Sequence, residues 1–381
     1  MRAAIQEIAA PLPVDQQLRN ILAGKVISGL DAVRALAISL VLIDHFRLFD
    51  VLLHRRLPTG SMGVMIFFVL SGFLITSMLL KEYRKTGSIS LGDFYRRRAF
   101  RIFPTFYVCW ILTATIDLLA RTFYWRSSIV SFFYLMDYGR GLSSNSSIDL
   151  LNMGISWSLA IEEKFYLLWP LLLLTLLRKR TTAVRALSLI IAGQWIYRAI
   201  LYLGLHVSWN YFYNTFDMRV DALLIGCLLA MLLAEEKTRV LFTVFLRRQW
   251  LAAIPALALV VIVLVPVDAR FPALLLWMAQ PLIIAIFMVQ FIYWGAKSWT
   301  FSSAWIVRFV AHISYALYLY HPLGGKIAYV LHIPHLGASA AALAITLSVL
   351  SYYCIERPFM KMRDNKTRPA PAPAPASLTA S

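Results

Sequence analysis

Gly29-Leu-Asp-Ala-Val-Arg34-Ala-Leu-Ala-Ile-Ser-Leu-Val-Leu-Ile-Asp44-His45-Phe46 reads as a membrane-spanning helix with ionisable groups at two levels. Eleven steps of about 1.5 Å put Arg34 and His45 roughly 16 Å apart along the axis, about half a hydrocarbon core. The rotation between them is about 20° beyond three full turns, so both side chains look the same way. Charge inside a bilayer is costly and marks a pathway or a reacting site.

The rest of the chain has the same character. Of its 381 residues, 60% are hydrophobic and 15% charged, and the mean hydropathy is +0.69. That much apolar surface cannot be hidden in a water-soluble core, so the composition implies an all-α polytopic membrane protein. Ten runs are long enough to cross, near 30–48, 61–80, 101–120, 156–177, 185–205, 217–234, 250–267, 272–294, 309–330 and 337–355. The net charge of +18 sits mostly in alternate connections, such as Lys81 to Arg101, Arg178 to Arg185, Lys237 to Arg248 and Arg357 to Arg368. The positive-inside rule then places both termini in the cytoplasm of a cell whose inner membrane holds the bundle, with lipid rather than nucleic acid as the partner of these cations. Cys109, Cys227 and Cys354 lack any CxxC spacing, so neither a disulfide framework nor a metal site is expected. The first thirty residues carry no signal-peptide pattern. The expected organisation is a cytoplasmic segment 1–28, a membrane domain 29–362, and a disordered Pro/Ala-rich tail 363–381. The connection 121–155, with Ser143 to Ser147, is expected to loop over the outer mouth of the bundle.

Sorting the polar residues by depth gives two groups. On the inner side, Tyr95-Arg96-Arg97-Arg98-Ala-Phe-Arg101-Ile-Phe-Pro104 crowds arginines at the start of the third span, with Pro104 in its first turn. Arg97, Arg98 and Arg101 share a helical face, and their forked guanidinium groups suit phosphate oxygens. Inside-positive anchoring would place arginines there too; Arg34, at the same level, favours a phosphorylated ligand whose reactive arm threads inward. On the outer side stand His45 with Asp44, then Glu162, Phe165, Tyr166 and Trp169 on one face of the fourth span. Glu163 turns away beside Lys164. Asp217-Met-Arg219-Val-Asp221 is expected to form an internally neutralised ion network. Ser314-Tyr315-Ala-Leu-Tyr318-Leu-Tyr320-His321-Pro322 is expected to break at the following Pro-Leu-Gly-Gly. A histidine beside a carboxylate can act as general base towards a hydroxyl, but a proton-coupled carrier could use the same groups.

Seven elements in order carry a resemblance: Leu30-Asp31-x-x-Arg34 with His45; Gly63 to Ile75; Phe94-x-x-Arg97-Arg98-x-x-Arg101-Ile-x-Pro104; Trp157-Ser158-Leu159-x-x-Glu162-Glu163-x-Phe165-Tyr166; Arg219-x-Asp221; Ser314-Tyr315-x-x-Tyr318-Leu-x-His321; and Ile355-Glu356-Arg357-Pro358. Together they resemble the acyltransferase-3 family of integral membrane acyltransferases, which modify surface polysaccharides, lipopolysaccharide and similar glycans. The resemblance implies a ten-helix bundle that moves an acyl group, usually acetyl, from cytoplasmic acyl-CoA to a glycan or lipid-linked saccharide hydroxyl. Acyl-CoA would be a co-substrate, with no permanently bound cofactor. Arg34 and His45 match the family's essential pair, and Arg98 and Arg101 its arginine motif. Arg34, Arg97, Arg98 and Arg101 are then the expected acyl-CoA ligands. His45, Asp44, Glu162, Glu163 and His321 are the expected catalytic set, and Trp157, Tyr166, Arg219, Asp221, Tyr315 and Tyr318 lie on the acceptor side or in a structural network. Many relatives carry an extra periplasmic domain that this sequence lacks, which points to an acceptor that reaches the membrane unaided. Direct transfer and a transient acyl-histidine both remain open. A glycan transporter is the rival class, but it gives no reason for the arginine cluster or for the Arg34–His45 register. A scaffold leaves every intramembrane charge unexplained.

Overall fold

The computed structural model describes residues 13–24, 27–47, 57–142, 153–178, 183–264, 270–333 and 336–366, and its regular elements are all helical. In chain order they are α1 (Val14–Ala23), α2 (Ser28–His45), α3 (Thr59–Thr86), α4 (Leu91–Leu119), α5 (Trp125–Phe132) and α6 (Met136–Gly141). Next come α7 (Ser156–Arg178), α8 (Ala183–Ala199) with a π-helical extension to Gly204, α9 (Trp209–Asn214), α10 (Phe216–Ala234), α11 (Glu236–Leu246) and α12 (Ala253–Leu264). The chain ends in α13 (Arg270–Lys297), α14 (Trp305–Val330), α15 (Leu336–Ser351) and α16 (Arg357–Lys366).

Among the described residues, five helices are long and apolar enough to cross a membrane: α3, α4, α8 with its extension, α13, and residues 337–363. A sixth is counted if α11 and Gln249–Leu264, bent by 96°, form one span. The sequence reads a single run over 250–267; in the structure that run follows α11 across a bend at Arg247-Arg248. Four further helices, α2, α7, α10 and α14, are 18, 23, 19 and 26 residues long. These carry the charged, tyrosine and histidine residues expected to form the site, and those polar groups dilute their hydropathy.

The core is organised on α3, which packs against α10 and α2, while α2 also touches α13 and α14. The α3–α10 crossing is close because each helix presents a glycine at the contact. A Cβ added at Gly226 would lie 2.0 Å from the Val69 carbonyl oxygen, and one at Gly72 would lie 2.0 Å from that of Leu223. Small residues that let backbones meet are the usual means of joining helices in lipid.

Three local expectations are corrected. α14 does not break at Pro322 but runs on to Val330, and Gly324 serves close packing: its Cβ would lie 2.6 Å from Ala344 N. Pro104 lies inside α4 rather than in its first turn, because Ser90 caps the helix earlier by accepting the Asp93 amide. The connection after α4 forms α5 and α6 over its first half; Ser143 to Ser147 and the tail beyond Lys366 lie outside the described residues.

Candidate active site

A cavity of about 350 Å³ opens among α2, α3, α4, α7, α14 and α16. Its charged lining is Arg34, Arg97, Arg98, Arg101, Glu162, Glu163 and Arg363. One wall is apolar, formed by Val64, Phe67, Leu70, Leu74 and Ile75 of α3. Strand-like alternation plays no part here: α3 turns these residues to the cavity while Gly72, on its other side, meets α10.

The arginines are set up by α4 and its cap. Glu82 binds the Ser90 amide with one carboxylate oxygen (2.8 Å) and Arg97 with the other (3.2 Å), which fixes the start of α4 against the end of α3. Arg96 turns outward to Asp93 at 2.7 Å. Arg98 lies over the Tyr166 ring, 4.1 Å from its centroid. Arg34 reaches Asp31 of its own helix at 3.4 Å. Arg98 and Arg101 make no hydrogen bond or salt bridge with a described residue, so their N–H donors remain available to an anion in the cavity.

The opposite wall is polar. Ser158, Glu162 and Tyr166 follow one another at intervals of four on α7 and all line the cavity. The Tyr166 hydroxyl bonds Ser71 of α3. At the far end, the Tyr318 hydroxyl bonds Ser158 and also donates to the Ile155 carbonyl at 3.2 Å. Tyr318 and Phe67 meet edge-on, and both line the cavity. Tyr315 also lines the cavity and donates to the Ile102 carbonyl at 3.0 Å.

Beyond Tyr318 stand the two histidines, neither of which lines the cavity. The His321 ring lies 5.9 Å from Tyr318 and 4.5 Å from His45, nearly perpendicular to it. His321 is buried at 1% exposure, whereas His45 is exposed at the end of α2. Each Nδ1 contacts a backbone carbonyl of its own helix, Val41 for His45 (2.9 Å) and Tyr318 for His321 (2.8 Å). A carbonyl can only accept, so in both rings Nδ1 donates and the neutral imidazole keeps its lone pair on Nε2.

This geometry corrects the expected partners of His45. Glu162 and Glu163 both face the arginine cavity, and Lys164, instead of pairing with Glu163, binds Asp137 of α6. Asp44 packs against Gly60 at the start of α3. Among the described residues no carboxylate bonds His45; its aromatic neighbour is His321. The expected Arg219–Asp221 network is also replaced. Asp221 pairs with the buried Arg198 and accepts the Trp195 indole at 3.0 Å. Arg219 instead sits in an aromatic box, 4.1 Å from the Trp277 ring and 6.0 Å from Trp157. Asp217 takes hydroxyls from Tyr138, Tyr197 and Tyr211.

Two residues escaped the sequence reading, Arg198 and Arg363, and a third, Ser158, was quoted there without a role. Ser158 was legible as the residue four before Glu162. Arg198 lies in an apolar run with nothing to mark its partner. Arg363 lies at the end of the 337–363 helix and reaches the cavity because α16, which completes that helix, packs against α4.

Comparison with known proteins gives the site a context. O-acetyltransferase OatA of Staphylococcus aureus (strain NCTC 8325 / PS 47) is 32% identical over 236 residues, covering 56% of this chain and 36% of the relative. "Putative peptidoglycan O-acetyltransferase YrhL" of Bacillus subtilis (strain 168) is 33% identical over 224 residues, covering 54% of this chain and 33% of the relative. The matched part is thus about a third of each relative's length. No solved structure matches. The acyltransferase-domain family model matches residues 27–355, which takes in every helix that lines the cavity except α16: the chain belongs to the acyltransferase-3 family.

Proposed function

We propose that this protein is a membrane O-acyltransferase that moves an acyl group, most simply acetyl, from cytoplasmic acyl-CoA to a hydroxyl of a surface or lipid-linked glycan. The observation that carries this reading is the division of α2 between two chemistries: Arg34 in an arginine-lined cavity, and His45 paired with His321 outside that cavity, beyond Tyr318. In this reading the bundle has ten spans and both termini in the cytoplasm of the inner membrane. The relatives' names support O-acetyl transfer, and the Bacillus subtilis name offers peptidoglycan as one glycan to try.

The phosphates of the donor bind Arg98 and Arg101, with Arg34 deeper on α2, and the apolar α3 wall accommodates the neutral arm. Ser158, Glu162 and Tyr166 offer hydrogen bonds to its amides. The thioester comes to rest at Tyr318. When Tyr318 yields, the acceptor hydroxyl attacks the thioester carbonyl: an O–C bond forms and the C–S bond breaks. His45 Nε2 removes the hydroxyl proton, which ends on the coenzyme thiol, so neither charge nor nucleotide crosses the membrane. Glu162 and Glu163 act on the donor side in this scheme.

The test uses inverted vesicles supplied with labelled acetyl-CoA and peptidoglycan precursors or other lipid-linked saccharides. Wild type is expected to label the saccharide, and His45→Ala to lose at least about 100-fold, the usual scale of a general base. A wild type that moves a lipid-linked sugar across the membrane without labelling it would overturn the proposal in favour of a transporter.

A further inference from the structure

Pro322 lies inside α14, immediately after His321. In an α-helix the amide of residue 322 would donate to the carbonyl of Tyr318, four residues earlier, and proline has no amide hydrogen to give. The Tyr318 carbonyl is therefore left without its helical donor. His321 Nδ1 takes up that vacancy at 2.8 Å and lies farther, 3.2 Å, from the Leu317 carbonyl, which retains an amide donor. The imidazole is thus tied to the one carbonyl on this turn that needs a donor.

The consequence falls on the other nitrogen. With Nδ1 committed as donor, Nε2 of the neutral ring is an acceptor, and it is buried with no hydrogen-bond partner among the described residues. A buried acceptor without a partner is costly and calls for an explanation. The ring beside it belongs to His45, at 4.5 Å, exposed and with its own Nδ1 given to Val41. Two neutral imidazoles that both present Nε2 cannot bond to each other. They can do so once one of them gains a proton.

We propose that Pro322 is a positioning residue that holds His321 as a proton acceptor for His45 during acyl transfer; this rests on the acyltransferase reading above. As the acceptor oxygen bonds to the acyl carbon and the C–S bond breaks, the hydroxyl proton passes to His45 Nε2. The imidazolium N–H then turns to His321 Nε2, which shares the charge until the proton leaves for the coenzyme thiolate. His321 needs no proton of its own and no carboxylate, which accounts for the separation of Glu162 and Glu163 from His45. Burial on α14 keeps its lone pair from water until the acceptor arrives.

Two histidine substitutions separate the roles of the two nitrogens. The amide nitrogen of His321→Asn takes the place of Nδ1 and restores the bond to the Tyr318 carbonyl, with nothing at Nε2. The amide oxygen of His321→Gln reaches the Nε2 position and leaves Nδ1 unreplaced. With labelled acetyl-CoA and an acceptor that wild type labels, Gln is expected to keep at least about five times more kcat than Asn, and Pro322→Ala to lose about three- to tenfold in kcat. KM for acetyl-CoA should stay within about twofold in all three, because the cavity is untouched. Thermal unfolding in detergent, followed by helical circular dichroism, checks that the variants are folded. Asn equal to or better than Gln, in folded protein, would make His321 a structural anchor and overturn the proposal. So would an unchanged kcat in Pro322→Ala. A wild type that labels no saccharide would sink the acyltransferase reading itself, a different result from either of these.

Discussion

At the cavity, Arg34, Arg98 and Arg101 converge from α2 and α4 on open space, and the guanidinium groups of Arg98 and Arg101 bond no described residue. Between α8 and α10, Arg198 is buried more deeply and is closed off by Asp221, whose second oxygen takes the Trp195 indole. The same side chain in the same bundle is arranged for two purposes. In the packed region the protein supplies the anion, and nothing further can enter. In the cavity no carboxylate forms a salt bridge with Arg98 or Arg101 among the described residues, so that affinity is left for a ligand. The carboxylates that line it, Glu162 and Glu163, form no salt bridge with an arginine among the described residues.

Breaking the packed pair is expected to have the largest effect. Asp221→Ala leaves Arg198, 2% exposed, as an uncompensated charge, and it should cost about 3–5 kcal/mol of stability. Thermal unfolding in detergent measures this, as a large drop in midpoint. A drop too small to detect would mean that water or lipid headgroups reach Arg198, and the contrast between the regions would fail.

The cavity should respond in the opposite way. Arg98→Gln with Arg101→Gln removes two charges that form no ion pair with a described residue, leaving only the Arg98 contact with the Tyr166 ring to lose, so the unfolding midpoint should stay close to wild type. Acetyl-CoA binding, by calorimetry or competition, should weaken by at least about tenfold, at about 1.5–3 kcal/mol per charge-assisted hydrogen bond. Acceptor binding should change little. Loss of stability on the scale of Asp221→Ala would make these arginines part of the scaffold.

How far each region could be read from sequence follows from the same contrast. The positions of the long helices were visible because hydropathy is a local property of the chain, as in Thr59–Thr86 and Arg270–Lys297. Arg97, Arg98 and Arg101 could be assigned one face because helical spacing alone brings them together. Partners across helices are another matter. Asp221 looked like the partner of Arg219, two residues away, but those positions lie about 200° apart around a helix, and the partner came from α8. Glu162 was placed beside His45 by depth, yet the rotation of α7 turns it to the arginines. The role of Pro322 was missed for a related reason: proline was read as a helix breaker, whereas here a neighbouring side chain satisfies the carbonyl it leaves open.

The smallest expected effect is the most searching. If the packed pair serves only to neutralise itself, it can be replaced whole. Trp195→Phe, Arg198→Met and Asp221→Leu together remove the charge, the countercharge and the indole donor while keeping comparable volume. Replacing a buried ion pair by apolar groups is often neutral or stabilising, so the triple variant should unfold within about 1 kcal/mol of wild type, despite containing a substitution at Asp221. Acyl transfer should persist, because none of the three residues lines the cavity. The corresponding apolar exchange at the cavity, Arg98→Met with Arg101→Met, should leave a folded protein that no longer holds acetyl-CoA. A triple variant that is stable but inactive would show that the Arg198–Asp221 pair communicates with the site through α10, and burial with a partner would no longer distinguish a structural arginine from a functional one.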